Sequence, residues 1–237
     1  YPAWPLLKEN TKGMLGFSSR AQLASELTDA KSAQAVYLEK IAAMPLNEIV
    51  ADKELTQFAV AGGAAAFKVN CTPCHGSGAQ GGNGYPNLND DDWLWGGDLE
   101  AINTTLAHGI RYESDPDTRV SEMPAFGDIL DADQIKQVAA YVVSLTGTPA
   151  DASMVEPGKT IFAENCASCH GEDAKGGRDF GAPNLADAIL LKVNGEAEIA
   201  EQVTRPKHGV RPAWNARLGE TTVKQLAIYV HSLGGGE

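Results

Sequence analysis

No apolar run in this 237-residue chain is long enough to cross a membrane, cations are outnumbered, and cysteine occurs only four times. A bilayer-spanning helix needs about 20 apolar residues, so the sequence as it stands contains none, and no signal-peptide pattern opens it. With 19 Lys and Arg against 31 Asp and Glu, the net charge of −12 argues against nucleic acid and anionic lipid surfaces. Methionine is as scarce as cysteine, and none follows His170. Strand signals are nearly missing, which points to an all-α fold.

The four cysteines form one pentapeptide twice: Cys71-Thr-Pro-Cys74-His75 and Cys166-Ala-Ser-Cys169-His170. C-x-x-C-H is the attachment signature of c-type haem, in which two thiols bond the haem vinyl groups and the adjacent histidine binds iron. A four-thiolate zinc site would need its two pairs close together, and here they lie 95 residues apart. A thioredoxin-like motif would need a βαβ setting that neither copy has. Two disulfides would leave the repeated histidine unexplained. The expectation is two covalent haem c groups and electron transfer, in the bacterial periplasm or an equivalent compartment.

The duplication extends well past the cysteines. At an offset of 95, Gly63, Phe67, Asn70, Gly76, Ala79, Gly81 and Gly82 fall on Gly158, Phe162, Asn165, Gly171, Ala174, Gly176 and Gly177. Pro86-Asn87-Leu88 then answers Pro183-Asn184-Leu185. At an offset of 88, Pro124-Ala125-Phe126 matches Pro212-Ala213-Trp214, and Tyr141, Ser144 and Leu145 match Tyr229, Ser232 and Leu233. Each copy closes on an amphipathic helix, with Ile135, Val138, Ala139, Val142 and Leu145 in one and Val223, Leu226, Ala227, Val230 and Leu233 in the other. Gly147 and Gly234 follow as stop signals.

This layout resembles two tandem class I cytochrome c domains, expected at 51–148 and 149–237 behind an N-terminal extension at 1–50. In the extension, Ser19 and Gln22 have capping-box spacing, and Leu23, Leu27, Ala30, Tyr37, Ile41 and Met44 follow a helical stripe that Pro45 ends. That helix is expected to pack on the haem domains or on a partner subunit.

His75 and His170 are the expected proximal ligands. The resemblance to class I cytochromes implies that the carbonyls of Pro86 and Pro183 orient them. It also places Met123, in Ser121-Glu122-Met123-Pro124-Ala125-Phe126, on the first haem iron. In the second copy the equivalent position is Arg211. His208, three residues upstream, is the leading candidate for the second iron. Met154 and an open or water-ligated iron are the alternatives, and Arg211 could pair with a haem propionate. His108 is the counterpart of His208, and His231 is expected to be exposed.

Several runs are more particular: the leader Tyr1-Pro2-Ala3-Trp4-Pro5, then Gly13-Met14-Leu15-Gly16-Phe17, Asp90-Asp91-Asp92-Trp93-Leu94-Trp95-Gly96-Gly97, and the tail Tyr229 to Glu237. Together with the Met123 loop they resemble the dihaem subunit (CcoP/FixP) of cbb3-type cytochrome c oxidases over essentially the whole chain. The resemblance implies a subunit on the periplasmic face of the bacterial inner membrane, held by an anchor upstream of Tyr1. It would take electrons from a cytochrome c donor and pass them to the monohaem and catalytic subunits of the respiratory oxidase. Arg211 departs from that family's usual Met-Pro-Ala-Trp. A dihaem enzyme of peroxidase or thiosulfate-oxidising type, with an open second haem, is the alternative.

Charge is unevenly spread, neutral over 1–50, −9 over 51–150 and −3 over 151–237. The run around Asp90, Asp91 and Asp92 is therefore the expected landing surface for a cationic cytochrome c donor.

Overall fold

The computed structural model describes residues 17–236, so the leader Tyr1–Pro5 and Gly13–Gly16 lie outside the described residues. These residues divide into two units, one up to Pro45 and one from Leu46 onward. The first is helix α1, Ser19–Ala43. Its N-cap is Ser18, whose hydroxyl accepts from the Ala21 N–H at 3.3 Å, so Ser18 takes the part expected of Ser19. Leu23 and Leu27 on the expected stripe remain exposed.

The second unit is built of α2 (Leu46–Ala51), α3 (Lys53–Asn70), α4 (Thr72–His75), α5 (Leu99–His108), α6 (Ala132–Ser144), α7 (Val155–Asn165), α8 (Ala167–His170), α9 (Glu196–Thr204), α10 (Asn215–Leu218) and α11 (Glu220–His231). Only isolated β-bridges accompany them among the described residues, so the fold is all-α. Aspartates start three of the helices. The carboxylates of Asp52, Asp98 and Asp131 accept the free N–H groups of the first turns of α3, α5 and α6.

The helices do not pair as two contiguous domains. α11 packs on α3 and α5, and α6 packs on α7 and α9. One core gathers Phe67, Cys71, Ile102 and Leu106 with Val223, Leu226, Ala227 and Val230. The other gathers Phe162, Cys166, Ile199 and Val203 with Phe126, Ile135, Val138, Ala139 and Val142. The closing helix of each copy thus completes the core of the other. The physical reason is that both closing helices offer the same apolar stripe, and both opening helices offer the same groove. Phe67 meets Tyr229 at a ring separation of 5.3 Å, while Phe162 meets Tyr141 at 5.2 Å. The exchange also explains why the two haem-motif copies fall into one compact unit.

The chain crosses over at Ile110, whose backbone bridges both Arg119 and Arg211. Its N–H donates to the Arg211 carbonyl at 3.0 Å, and its carbonyl accepts from the Arg211 N–H at 2.9 Å. Gly109 makes the approach possible, because a Cβ there would strike the Arg211 carbonyl and lie 2.8 Å from the Ala213 nitrogen.

Candidate haem sites

Each motif is a single helical turn, α4 or α8, stacked on the end of the preceding long helix. The turn puts its first cysteine inward and its histidine toward the following loop. Cys71 and Cys166 are buried, Cys74 is exposed, and all four thiols are free. His75 Nδ1 donates to the Pro86 carbonyl at 3.0 Å, and His170 Nδ1 donates to the Pro183 carbonyl at 3.1 Å. A carbonyl can only accept, so each Nδ1 carries the proton and each Nε2 keeps its lone pair.

The loops that bring these prolines back are the same in both copies. Ala79 and Ala174, both buried, sit in left-handed conformation at φ 59°. Their carbonyls accept from the N–H groups of Leu88 and Leu185 at 2.8 and 2.7 Å. Gly81 and Gly176 donate to the His75 and His170 carbonyls at 2.8 Å. A Cβ on Gly81 would lie 2.6 Å from the Pro86 carbonyl carbon, so glycine is what lets the loop turn under the imidazole.

Free thiol pairs beside an imidazole with an oriented, unprotonated Nε2 are the donor set a covalent haem c requires, and both sites meet it. Burial pushes the Cys166 thiol up to about 11. It also raises the Cys71 thiol, where the Arg211 guanidinium pulls the other way. The His75 and His170 rings are both held below the ordinary histidine value, chiefly by burial, with Arg211 adding to the effect at His75.

The exchange changes which distal residue accompanies which motif. Met123 packs against the core of Cys166 and Phe162, on the His170 side. Arg211 lies on the other side, where its charge acts on Cys71, Cys74 and His75. Its Nε donates to the Thr105 carbonyl at 3.3 Å. Met123, expected at the first motif, packs in this structure with the core of the second. His208 does not present a free ring nitrogen to the second motif through Nε2, because Nε2 accepts the backbone N–H of Met123 at 3.0 Å. His108 Nδ1 is 3.2 Å from an Asp115 carboxylate oxygen.

Two residues not singled out in the sequence tie the site together. The Arg111 guanidinium donates to the Gly209 carbonyl through Nε and to the Ser121 carbonyl through Nη1, both at 2.7 Å, joining the two distal loops. Arg119 donates to the Trp95 carbonyl at 2.9 Å and lies over the Trp95 ring at 5.2 Å. The available signal was that Arg111 and Arg119 are the only arginines in an otherwise acidic stretch, 51–150.

A family profile described as cytochrome C oxidase, cbb3-type, subunit III matches residues 58–142 and 153–230. The chain is 62% identical over 237 residues to the cbb3-type cytochrome c oxidase subunit FixP of Rhizobium meliloti (strain 1021), covering all of this chain and 82% of that protein. It is 51% identical over 239 residues to the cbb3-type cytochrome c oxidase subunit CcoP of Cereibacter sphaeroides, with the same coverage of each. Against the FixP subunit of Azorhizobium caulinodans the identity is 47% over 238 residues, covering all of this chain and 81% of that protein.

Proposed function

We propose, from the premise that this chain belongs to the cbb3-type cytochrome c oxidase subunit III family, that it carries two haem c groups and relays electrons from a cytochrome c donor into the oxidase. Within the family it is an electron-transfer subunit of the oxidase and not itself the catalytic one. Haem c, when bound, supplies reversible one-electron chemistry. The observation that carries the two-haem reading is the repeated histidine–proline bond, at 3.0 Å in one copy and 3.1 Å in the other.

In this reading Cys71, Cys74 and His75 hold the first haem, and Cys166, Cys169 and His170 hold the second. Pro86 and Pro183 fix the two imidazoles. Met123 is the distal ligand of the second haem, supported by its packing beside Cys166. The partners are the catalytic and monohaem subunits and a cationic cytochrome c. The site of action is the periplasmic face of the bacterial inner membrane, where haem c attachment takes place. Among the described residues no helix is long and apolar enough to cross a membrane.

The acidic landing surface draws on both copies. The charges of Asp90 and Asp187 both act on Asp92, so acids from either side of the exchange share one face. Stopped-flow reduction by a basic cytochrome c, together with a pyridine haemochrome count, tests the reading. Two haems per chain and a reduction rate that falls with salt are expected. One haem per chain, or a rate indifferent to salt, overturns the corresponding part.

A further inference from the structure

We infer that Trp95 is a positioning residue for the second haem: its indole, from the first copy of the repeat, holds the loop that keeps the Pro183 carbonyl on His170. The inference rests on the reading that His170 holds a haem through Nε2.

The contact is close. Gly181 sits two residues before Pro183, in left-handed conformation at φ 58°. A Cβ there would strike Cε2 and Cζ2 of the Trp95 ring and lie 2.6 Å from its Nε1. The glycine belongs to a tight turn in which Gly177 and Ala182 exchange backbone hydrogen bonds at 3.0 and 3.1 Å. Arg119 holds the same tryptophan, donating to its carbonyl at 2.9 Å with the guanidinium 5.2 Å from the ring centre. Arg119 is anchored in turn, its carbonyl accepting from the Arg111 N–H at 2.8 Å. A chain of contacts thus runs from the crossover through Arg119, Trp95 and Gly181 to Pro183 and His170.

The first copy has no such lid. At the offset of 97 that aligns the two prolines, Gly84 answers Gly181 and Lys192 answers Trp95. A Cβ on Gly84 would meet nothing within 4 Å, and that loop is tied instead by the Gly84 N–H donating to the Leu191 carbonyl at 3.0 Å. Tyr85 gives the first loop a ring of its own, edge-on to His75 at 6.5 Å. Its counterpart is Ala182, so the aromatic beside the second loop comes from the other copy. The need is greater there. His75 is buried, whereas the His170–Pro183 bond is exposed, where water competes for both partners.

Donating the Nδ1 proton makes the imidazole a more basic ligand and favours ferric iron, so the strength of this bond sets the potential. Trp95 acts on it only through Gly181 and Pro183.

The test is a redox titration of the fully haem-loaded chain, with the two couples assigned by comparison with the Cys71→Ala, Cys74→Ala variant. Trp95→Ala should raise the potential of the second haem, by about tenfold in its redox equilibrium or ~59 mV for one electron. The first haem should stay where it was. In the same variant the Nδ1–H resonance of His170 in the reduced chain should exchange faster with solvent. Trp95→Phe, which retains a ring, should restore both readings. Gly181→Ala should reproduce them by pushing the ring away, and in combination with Trp95→Ala the two effects should not add. A pyridine haemochrome count accompanies every variant. Fewer than two haems in the unsubstituted chain would sink the two-haem reading itself. Two haems, with the second potential and the proton exchange both unchanged in Trp95→Ala, would sink this inference alone. Equal shifts at both haems also overturn it, because Trp95 would then be supporting the unit as a whole.

Discussion

Tyr229 stacks a tilted ring on Phe67, with centroids 5.3 Å apart and planes at 59°. The contact joins the last helix of the chain to the helix that precedes the first haem motif. It is made over a glycine. A Cβ on Gly63 would strike the Gln225 carbonyl and lie 2.6 Å from the Tyr229 Cβ. Gly158 meets Gln137 and Tyr141 in the same way, its added Cβ lying 2.9 Å from the Tyr141 Cβ. The two helix crossings are close because each is floored by a residue without a side chain.

Gly63→Ala should therefore destabilise the protein although alanine is the better helix former. Helix propensity favours the change by about 1 kcal/mol, while overpacking a close crossing costs about 1–3 kcal/mol, more where backbone is struck. A net loss near 2 kcal/mol lowers the melting temperature by ~4–8 °C for a unit of this size. Because of the exchange, the damage should fall on the first haem site, which depends on α11. Gly158→Ala should spare that site and disturb the second. Thermal melts followed at each haem's own spectral signature would decide it, and damage on the wrong side in either variant contradicts the exchanged packing.

The assignment of Met123 gives a sharper optical test. A methionine–iron charge-transfer band in the oxidised spectrum should persist when Cys71 and Cys74 are replaced by alanine. It should vanish when Cys166 and Cys169 are replaced. The reverse pattern would return Met123 to the first haem.

The helices, both haem motifs and both proline loops were legible in the sequence, because each rests on local chemistry. Cysteine spacing, glycine at Gly81 and Gly176, and the stripes of α6 and α11 act within a few residues of themselves. The exchange was not legible for the same reason that the repeat was. Ile135, Val138 and Val142 present to a neighbour nearly what Val223, Leu226 and Val230 present, so nothing in either stripe names its partner. The choice is made at the crossover, by the backbone of Ile110 and the side chain of Arg111, where composition carries little signal. The bond from the Met123 N–H to His208 Nε2 at 3.0 Å is equally invisible in the sequence, because it joins residues 85 apart.

Asp92 should make stability depend on pH in a defined direction. Burial, followed by the charges of Asp187, Asp90 and Asp91, holds its carboxyl above the ordinary aspartate value. A carboxyl raised in the folded state binds protons more readily there than in the unfolded chain. The cost is therefore fully present above the folded pKa, shrinks as pH falls through it, and is gone below the unfolded value of about 3.9. Asp187→Asn removes one of the repelling charges and should stabilise slightly at pH 7, by about 0.5 kcal/mol. The gain should fade toward pH 3 and at high salt. Denaturant midpoints across that range would show it, and a gain that grows on acidification contradicts the repulsion.

Arg111 is where the two distal loops should prove to be coupled. Its guanidinium holds the Gly209 carbonyl on the Arg211 side and the Ser121 carbonyl on the Met123 side, each at 2.7 Å. Its own backbone sits at φ 51°, a left-handed conformation that disfavours arginine and suits glycine. Arg111→Gly therefore separates two effects, since it relieves about 1 kcal/mol of backbone strain while deleting both hydrogen bonds. Charged donors to carbonyls contribute about 1.5–3 kcal/mol each when buried, and half-exposure reduces that, so a net loss of about 2 kcal/mol is expected. The methionine band of the second haem should weaken in this variant, and the spectrum of the first should change with it. Arg111→Lys, which can reach only one carbonyl at a time, should uncouple the pair and disturb a single site. If Arg111→Gly alters neither spectrum, the guanidinium is a surface bridge and the two distal loops are set independently.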